Sequence, residues 1–137
     1  MADFCTTASE LRTGLWSSGA GDGPLRERFQ NQLDTAAQKV ATTLDRLPSL
    51  SDSPVGGGDA AVAQFGDALG ELHESLVRGR AALDALPENA TEDQNATVVA
   101  QVWPRVAARA ADPFTGVTVS AAMRTAADTS ACAPFSF

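Results

Sequence analysis

The sequence predicts an all-α protein, a bundle of four to five helices in a single domain of residues 1–137. Apolar residues recur at steps of three and four over long segments, which is the period of an amphipathic helix. Prolines and glycine-rich stretches separate these segments, and neither residue type continues a helix cheaply. Hydrophobic residues make up 44% of the chain and charged residues 20%, so one apolar core is expected.

The first predicted helix covers residues 3–16, and Thr7 and Glu10 have the spacing of a capping box near its start. A glycine-containing loop, 17–23, ends it. The second predicted helix covers 24–47, because proline is favoured in a first turn and Pro48 stops the pattern. The apolar stripe of the first helix is Phe4, Ala8, Leu11 and Leu15. That of the second helix is Leu25, Phe29, Leu33, Ala36, Val40, Leu44 and Leu47.

The third predicted helix covers 59–86, with Asp59 as its cap and Pro87 as its end. Its apolar stripe is Val62, Phe65, Leu69, Leu72, Leu76, Leu83 and Leu86. Three glycines lie within it, each costing about 1 kcal/mol relative to alanine. We therefore expect a neighbouring helix or a ligand to approach closely at Gly66, Gly70 and Gly79, with the fourth helix close to Gly66 and Gly70.

The fourth predicted helix covers 91–111, with Thr91 and Gln94 as a capping box and a kink or restart at Pro104. Residues 112–118 read as extended. An alanine-rich last helix is expected over 119–132.

Cys5 and Cys132 lie near the two ends of the chain, where a disulfide would close almost the whole chain into one loop. Small bridged domains are typical of oxidising compartments, and the alternative is two unrelated thiols in a cytosolic protein. Five alternating helices would separate the two cysteines, so we expect the stretch 112–118 to act as a crossover connection.

The acidic composition excludes several classes of partner. The formal net charge is −7 and the basic residues are scattered, which argues against nucleic-acid binding. No run of 18 apolar residues occurs, so no membrane-spanning helix is predicted. One lysine against nine arginines suggests a bacterial genome of high GC content. We expect a secreted or cell-envelope protein whose signal peptide has been removed, or a cytoplasmic one if the cysteines are reduced.

The chain predicts neither a catalytic site nor a metal site. It contains one histidine and no tyrosine, and neither a phosphate loop nor a Gly-x-Ser-x-Gly elbow occurs. Two cysteines and one histidine cannot complete a four-ligand zinc site without carboxylates. No cofactor is therefore expected.

Ligand binding is an alternative in which the third and fourth helices enclose a pocket. The candidate pocket residues are Gly66, Gly70, His73, Trp103 and Met123. In having one cysteine near each end of a helical chain, the sequence resembles small exported mycobacterial haemophore-like proteins. That resemblance is one of architecture, without a shared motif, and it implies haem as one ligand that His73 and Met123 could hold.

The leading functional hypothesis is a non-enzymatic interaction protein at or outside the cell envelope. A helix face, the segment 112–118 or the aromatic tail 134–137 would contact a protein partner. The alternative is a carrier of a small apolar ligand, lipid or haem, between the third and fourth helices. A third possibility, an enzyme subunit or cytosolic regulator, would require reduced cysteines.

Overall fold

The computed structural model describes residues 1–17 and 21–136, and within them it confirms the predicted all-α bundle. The elements are α1 Ala2–Ser17, α2 Leu25–Arg46, a 3₁₀ helix Leu47–Leu50, α3 Gly58–Asp84, α4 Glu92–Ala111 and α5 Ala121–Ala126. The four long helices match the predicted segments to within two residues at each end.

The long helices alternate in direction. The Arg26 guanidinium, at the start of α2, donates hydrogen bonds to the carbonyls of Leu83 and Leu86 at the end of α3, each at 2.8 Å. Phe4 of α1 contacts Phe65 in the first half of α3, with ring centroids 5.3 Å apart. The bundle therefore has a bridge end, marked by Phe4 and Phe65, and a cap end, marked by Arg26 and Leu83.

One hydrophobic core runs through the bundle. It includes the fully buried side chains Leu11, Leu33, Phe65, Leu69, Leu76 and Met123. The most extensive packing is between α2 and α3, and α1 lies against α2 and α4. Because each fully buried Leu or Phe contributes about 1.5–3 kcal/mol, this core supplies the main stabilisation.

Cys5 and Cys132 come together at the bridge end as predicted. Their Sγ atoms lie 2.00 Å apart and their Cα atoms 5.1 Å apart. Both cysteines are buried, and their sequence separation is 127.

The expected crossover is not used, because the last helix is much shorter than predicted. Instead of covering 119–132, α5 spans six residues, from Ala121 to Ala126. Residues 112–117 form turns, with Val117 N–H donating to Phe114 O at 2.9 Å, rather than an extended strand. Met123 is the buried residue of α5, so little packing stabilises further helical turns. The chain consequently stays at the bridge end, where Cys132 meets Cys5.

The helix starts follow one of the predicted caps and not the others. Thr91 and Gln94 form the predicted capping box, with the Thr91 N–H donating to Gln94 Oε1 at 2.8 Å. The expected box at Thr7 is wrong, because α1 begins at Ala2 and Thr7 is buried within it. Asp59 accepts a hydrogen bond from Ser53 N–H at 2.8 Å and ties the preceding loop instead of capping α3.

The helix α4 continues through Pro104, so no restart occurs there, and the kink stays a prediction. Proline leaves the carbonyl of Ala100 without its helical donor. Pro104 and Ala100 are both exposed, so water can satisfy that carbonyl and the helix tolerates the proline.

Candidate functional site

The helices α3 and α4 pack tightly at one level near the cap end. A Cβ placed on Gly79 would lie only 2.6 Å from Cγ2 of Val102. Real Cβ atoms do not approach other atoms so closely, so this contact requires glycine. Gly79, rather than Gly66 or Gly70, is the glycine at which the third helix meets the fourth.

Nearer the bridge end, the same two helices leave a cleft of about 300 Å³. Its walls are Ala68, Glu71 and Leu72 of α3, and Arg105, Ala108 and Arg109 of α4. Leu72 is buried, whereas Glu71 and Arg105 are exposed at the rim. The cleft therefore combines a small apolar surface with three charged side chains.

Arg105 reaches across from α4 to α3. Its Nη1 donates to Ser75 Oγ at 2.8 Å, and this hydroxyl in turn donates to the carbonyl of Glu71 at 2.9 Å. The hydroxyl thus holds the Arg105 guanidinium against α3 without neutralising its charge.

Arg109 lies one helical turn further along and is half-buried. Its Nη1 donates to the carbonyls of Pro113 and Thr115, both at 2.9 Å, which fixes the guanidinium beside the turn that follows α4. Burial lowers the pKa of Arg109 from its ordinary value, and the charges of Asp112 and Glu71 oppose this effect.

Neither Arg105 nor Arg109 forms an ion pair with a carboxylate among the described residues. No carboxylate oxygen there lies within 4.0 Å of either guanidinium group. Like charges one turn apart on a helix repel each other, which favours a counter-ion between them. With Glu71 on the facing wall, the lining carries one net positive charge.

The five predicted pocket residues do not form the wall of this cleft. A Cβ on Gly66 would lie 3.2 Å from Cδ1 of Leu47, so Gly66 faces the 3₁₀ helix, whereas a Cβ on Gly70 would meet nothing within 4 Å. The close approach of a neighbouring helix expected at Gly70 is therefore wrong. Nine residues at about 100° each place Gly79 on roughly the opposite side of α3 from Gly70.

The other three predicted residues are distributed through the bundle. His73 and Trp103 are half-buried, on α3 and α4 respectively. Met123 is fully buried in the core. None of the three lines the cleft, and their role as ligand contacts stays a prediction.

The sequence did carry a signal for the two arginines that line the cleft. Arg105 and Arg109 have i, i+4 spacing, and the residue one turn before Arg105 is the neutral Gln101. Like charges at this spacing repel each other on a plain solvent face, and the nearest acidic residue in the sequence, Asp112, follows Arg109 at the helix end. Arginine is so common on surfaces that this spacing alone does not distinguish a binding site from a solvated helix face.

Trp16 forms a second exposed feature, on the last turn of α1. The Trp16 side chain is 61% exposed. A shallow depression lies along the same part of the helix and includes Thr13, Gly14 and Lys39. A Cβ on Gly14 would lie 3.0 Å from Cδ of Lys39, so the absence of a side chain lets Lys39 lie across α1.

Within the aromatic tail, Phe135 is less exposed than the sequence suggested. Its ring packs edge-on against Phe114, with centroids 4.9 Å apart, and Phe135 is half-buried. Phe137 lies outside the described residues. Phe135 completes the aromatic cluster at the bridge end.

In residues 1–17 and 21–136, no three His, Cys, Asp or Glu side chains are grouped as a metal site would require. None of the helices in this described part combines the length and the apolar composition needed to cross a membrane. The architecture is that of an antiparallel helical bundle whose chain ends are joined by a cysteine pair. No protein-family model, curated protein or solved structure matches the chain.

Proposed function

We propose that this chain is a non-enzymatic binding protein that acts at or outside the cell envelope and contacts a protein partner through Trp16. The observation that carries the proposal is the 61% exposure of the indole. Tryptophan is among the residues that most often dominate the binding energy of protein interfaces. An exposed tryptophan is therefore a suitable anchor for a partner.

The cysteine pair supports the proposed location. Disulfides persist in oxidising compartments and are rare where glutathione and thioredoxin keep thiols reduced. Cys5 and Cys132 are buried at disulfide distance, and the bridge would tie the two chain ends of a small domain. This arrangement is useful for a protein that works outside the cytosol.

The proposed absence of catalysis has its support in the charged groups of the cleft. The guanidinium groups of Arg105 and Arg109 carry hydrogen-bond donors and no acceptor, so neither is suited to taking a proton from a substrate. Glu71 is exposed rather than held in the apolar surroundings that tune a catalytic carboxyl group.

Site-specific photocrosslinking tests the partner proposal. A photoreactive benzoylphenylalanine in place of Trp16 should give a discrete adduct in the organism that produces the protein. The same probe in place of Val77, whose side chain is 50% exposed on α3, controls for exposure alone. The partner identified by mass spectrometry is then titrated with purified protein.

In that titration, Trp16→Ser should weaken binding by at least about tenfold, because an interface anchor contributes more than the surrounding contacts. Val77→Ser should leave the affinity unchanged. Equal adducts at both positions, or equal affinity of the Trp16→Ser variant and the original protein, would refute the role of Trp16.

A second candidate function is the binding of a small ligand between α3 and α4. The cleft volume of about 300 Å³ supports it, since ligand sites begin at about this size. Its charged walls favour a polar ligand over the lipid or haem expected from the sequence.

A further inference from the structure

We infer that the cleft between α3 and α4 binds a small, singly charged organic carboxylate, with Arg105 and Arg109 as its anion-binding residues. This inference deepens the second candidate function and rests on it, and it is independent of the partner proposed for Trp16.

The charge of the ligand follows from the cleft lining. Arg105 and Arg109 bring two positive charges to the lining against the one carboxylate of Glu71. Asp112, outside the lining, also acts on Arg109, so the site favours a ligand with one negative charge over one with two. Both guanidinium groups donate only to neutral oxygens within the described residues: a hydroxyl for Arg105 and two carbonyls for Arg109. Each guanidinium has five N–H donors, so further donors remain for a ligand.

The carboxylate class follows from the shape of the donor groups and from the apolar surface beside them. The planar fork of a guanidinium matches the two oxygens of a carboxylate. Ala68, Leu72 and Ala108 offer apolar contacts to a short hydrocarbon body. An inorganic phosphate has no such body, and its second negative charge near neutral pH would face Glu71 uncompensated.

The two arginines are positioned before any ligand binds. Ser75 holds the Arg105 guanidinium from α3, and the carbonyls of Pro113 and Thr115 hold that of Arg109. Side chains fixed in advance lose less conformational entropy on binding, which raises the affinity for a small ligand. The site therefore requires no rearrangement of the helices.

Titration with hexanoate, followed by amide chemical shifts, tests the inference on the intact oxidised chain. Hexanoate should give saturable shifts in residues 68–72 and 105–109. It should bind more tightly than the neutral 1-hexanol and more tightly than inorganic phosphate. Arg105→Gln should weaken hexanoate binding by about tenfold, since charge-assisted hydrogen bonds are among the stronger ones.

Two further variants distinguish a specific effect on binding from a loss of folding. Glu71→Gln removes the negative charge from the wall and should strengthen hexanoate binding, which no general loss of folding would produce. Arg28→Gln removes an exposed arginine of α2 outside the cleft and should change nothing.

The other outcomes separate the anion inference from the ligand-cleft candidate. Binding of 1-hexanol as tight as that of hexanoate, unaffected by Arg105→Gln, would overturn the anion inference and leave a ligand cleft. Tighter binding of phosphate would overturn the carboxylate class. If neither hexanoate nor 1-hexanol shifts the cleft residues, both the inference and the ligand-cleft candidate fail.

Discussion

The two ends of the α3–α4 pair are held together in different ways. Toward the cap end, Gly79 lets Val102 approach the backbone of α3, and the Arg26 guanidinium donates to the carbonyls that end that helix. Toward the bridge end, a cleft opens between Leu72 and Arg109. The comparison shows that one helix pair can close where a side chain is missing and stay open where long charged side chains face each other.

The bridge end tolerates this opening because other contacts stabilise it. Phe4, Phe65, Phe114 and Phe135 form a connected aromatic cluster, with neighbouring ring centroids 4.9 to 5.7 Å apart. The cysteine pair joins α1 to the segment after α5 at the same end. Packing and a covalent link thus replace the close helix contact that stabilises the cap end.

Removal of the cysteine pair should have the largest effect and should weaken the bridge end first. Without the bridge, Cys5→Ser with Cys132→Ser should lower the free energy of unfolding by about 3–5 kcal/mol, because the unfolded chain regains loop freedom. Denaturant unfolding measures the loss. Hydrogen exchange should accelerate in α1 and α5 more than around Gly79, and uniform acceleration would contradict the distinction between the ends.

Arg26→Ala should weaken the cap end. The Arg26 guanidinium donates to the carbonyls of Leu83, Leu86 and Pro87, each at 2.8 Å, at a helix end where positive charge is favourable. Its loss should lower the free energy of unfolding by about 1–3 kcal/mol. Arg28→Ala, two residues away and exposed, is the matched control and should change stability by less than about 0.5 kcal/mol. Equal effects of the two variants would show that Arg26 is not a cap.

Acid should weaken the cap end by a smaller amount. The hydrogen bond from Arg80, followed by that from Gln30, lowers the pKa of Asp84 below its ordinary value of 3.8. A lowered pKa stabilises the fold above the ordinary value, and this contribution disappears as the pH falls through the folded-state pKa.

The measurement for Asp84 is urea unfolding of the original protein and of Asp84→Asn across the acid range. The original protein should be the more stable of the two at pH 7, and the difference should shrink once the pH falls below 3.8. A difference that stays constant over this range would show that the carboxylate charge contributes nothing.

The sequence predicts the four long helices well because each has a continuous apolar stripe and is bounded by proline, glycine or capping residues. Thr91 with Gln94 and the proline at 48 place helix ends through local chemistry alone. The last helix was overestimated because alanine has a high helix propensity but little apolar surface. Only tertiary contacts decide how far such a segment continues.

The candidate site was harder to predict because it depends on how two helices face each other. Periodicity shows that Gly66 and Gly70 share a side of α3, but not which neighbour that side meets. The packing of the whole bundle brings Gly79 against Val102 and Arg105 against Ser75. The cysteine pairing was predictable because only one pair exists.

The central claim is that α3 is closely packed at Gly79 and has open space at Gly70. The most direct test is to unfold Gly79→Ala and Gly70→Ala in chemical denaturant. A Cβ at position 79 would overpack against Val102 and should destabilise the protein by about 1–3 kcal/mol. A Cβ at position 70 meets open space, so the better helix propensity of alanine should stabilise by up to about 1 kcal/mol. Midpoints that shift in opposite directions are the predicted result. An unchanged midpoint for Gly79→Ala, or a loss at Gly70 as large as that at Gly79, would contradict the account.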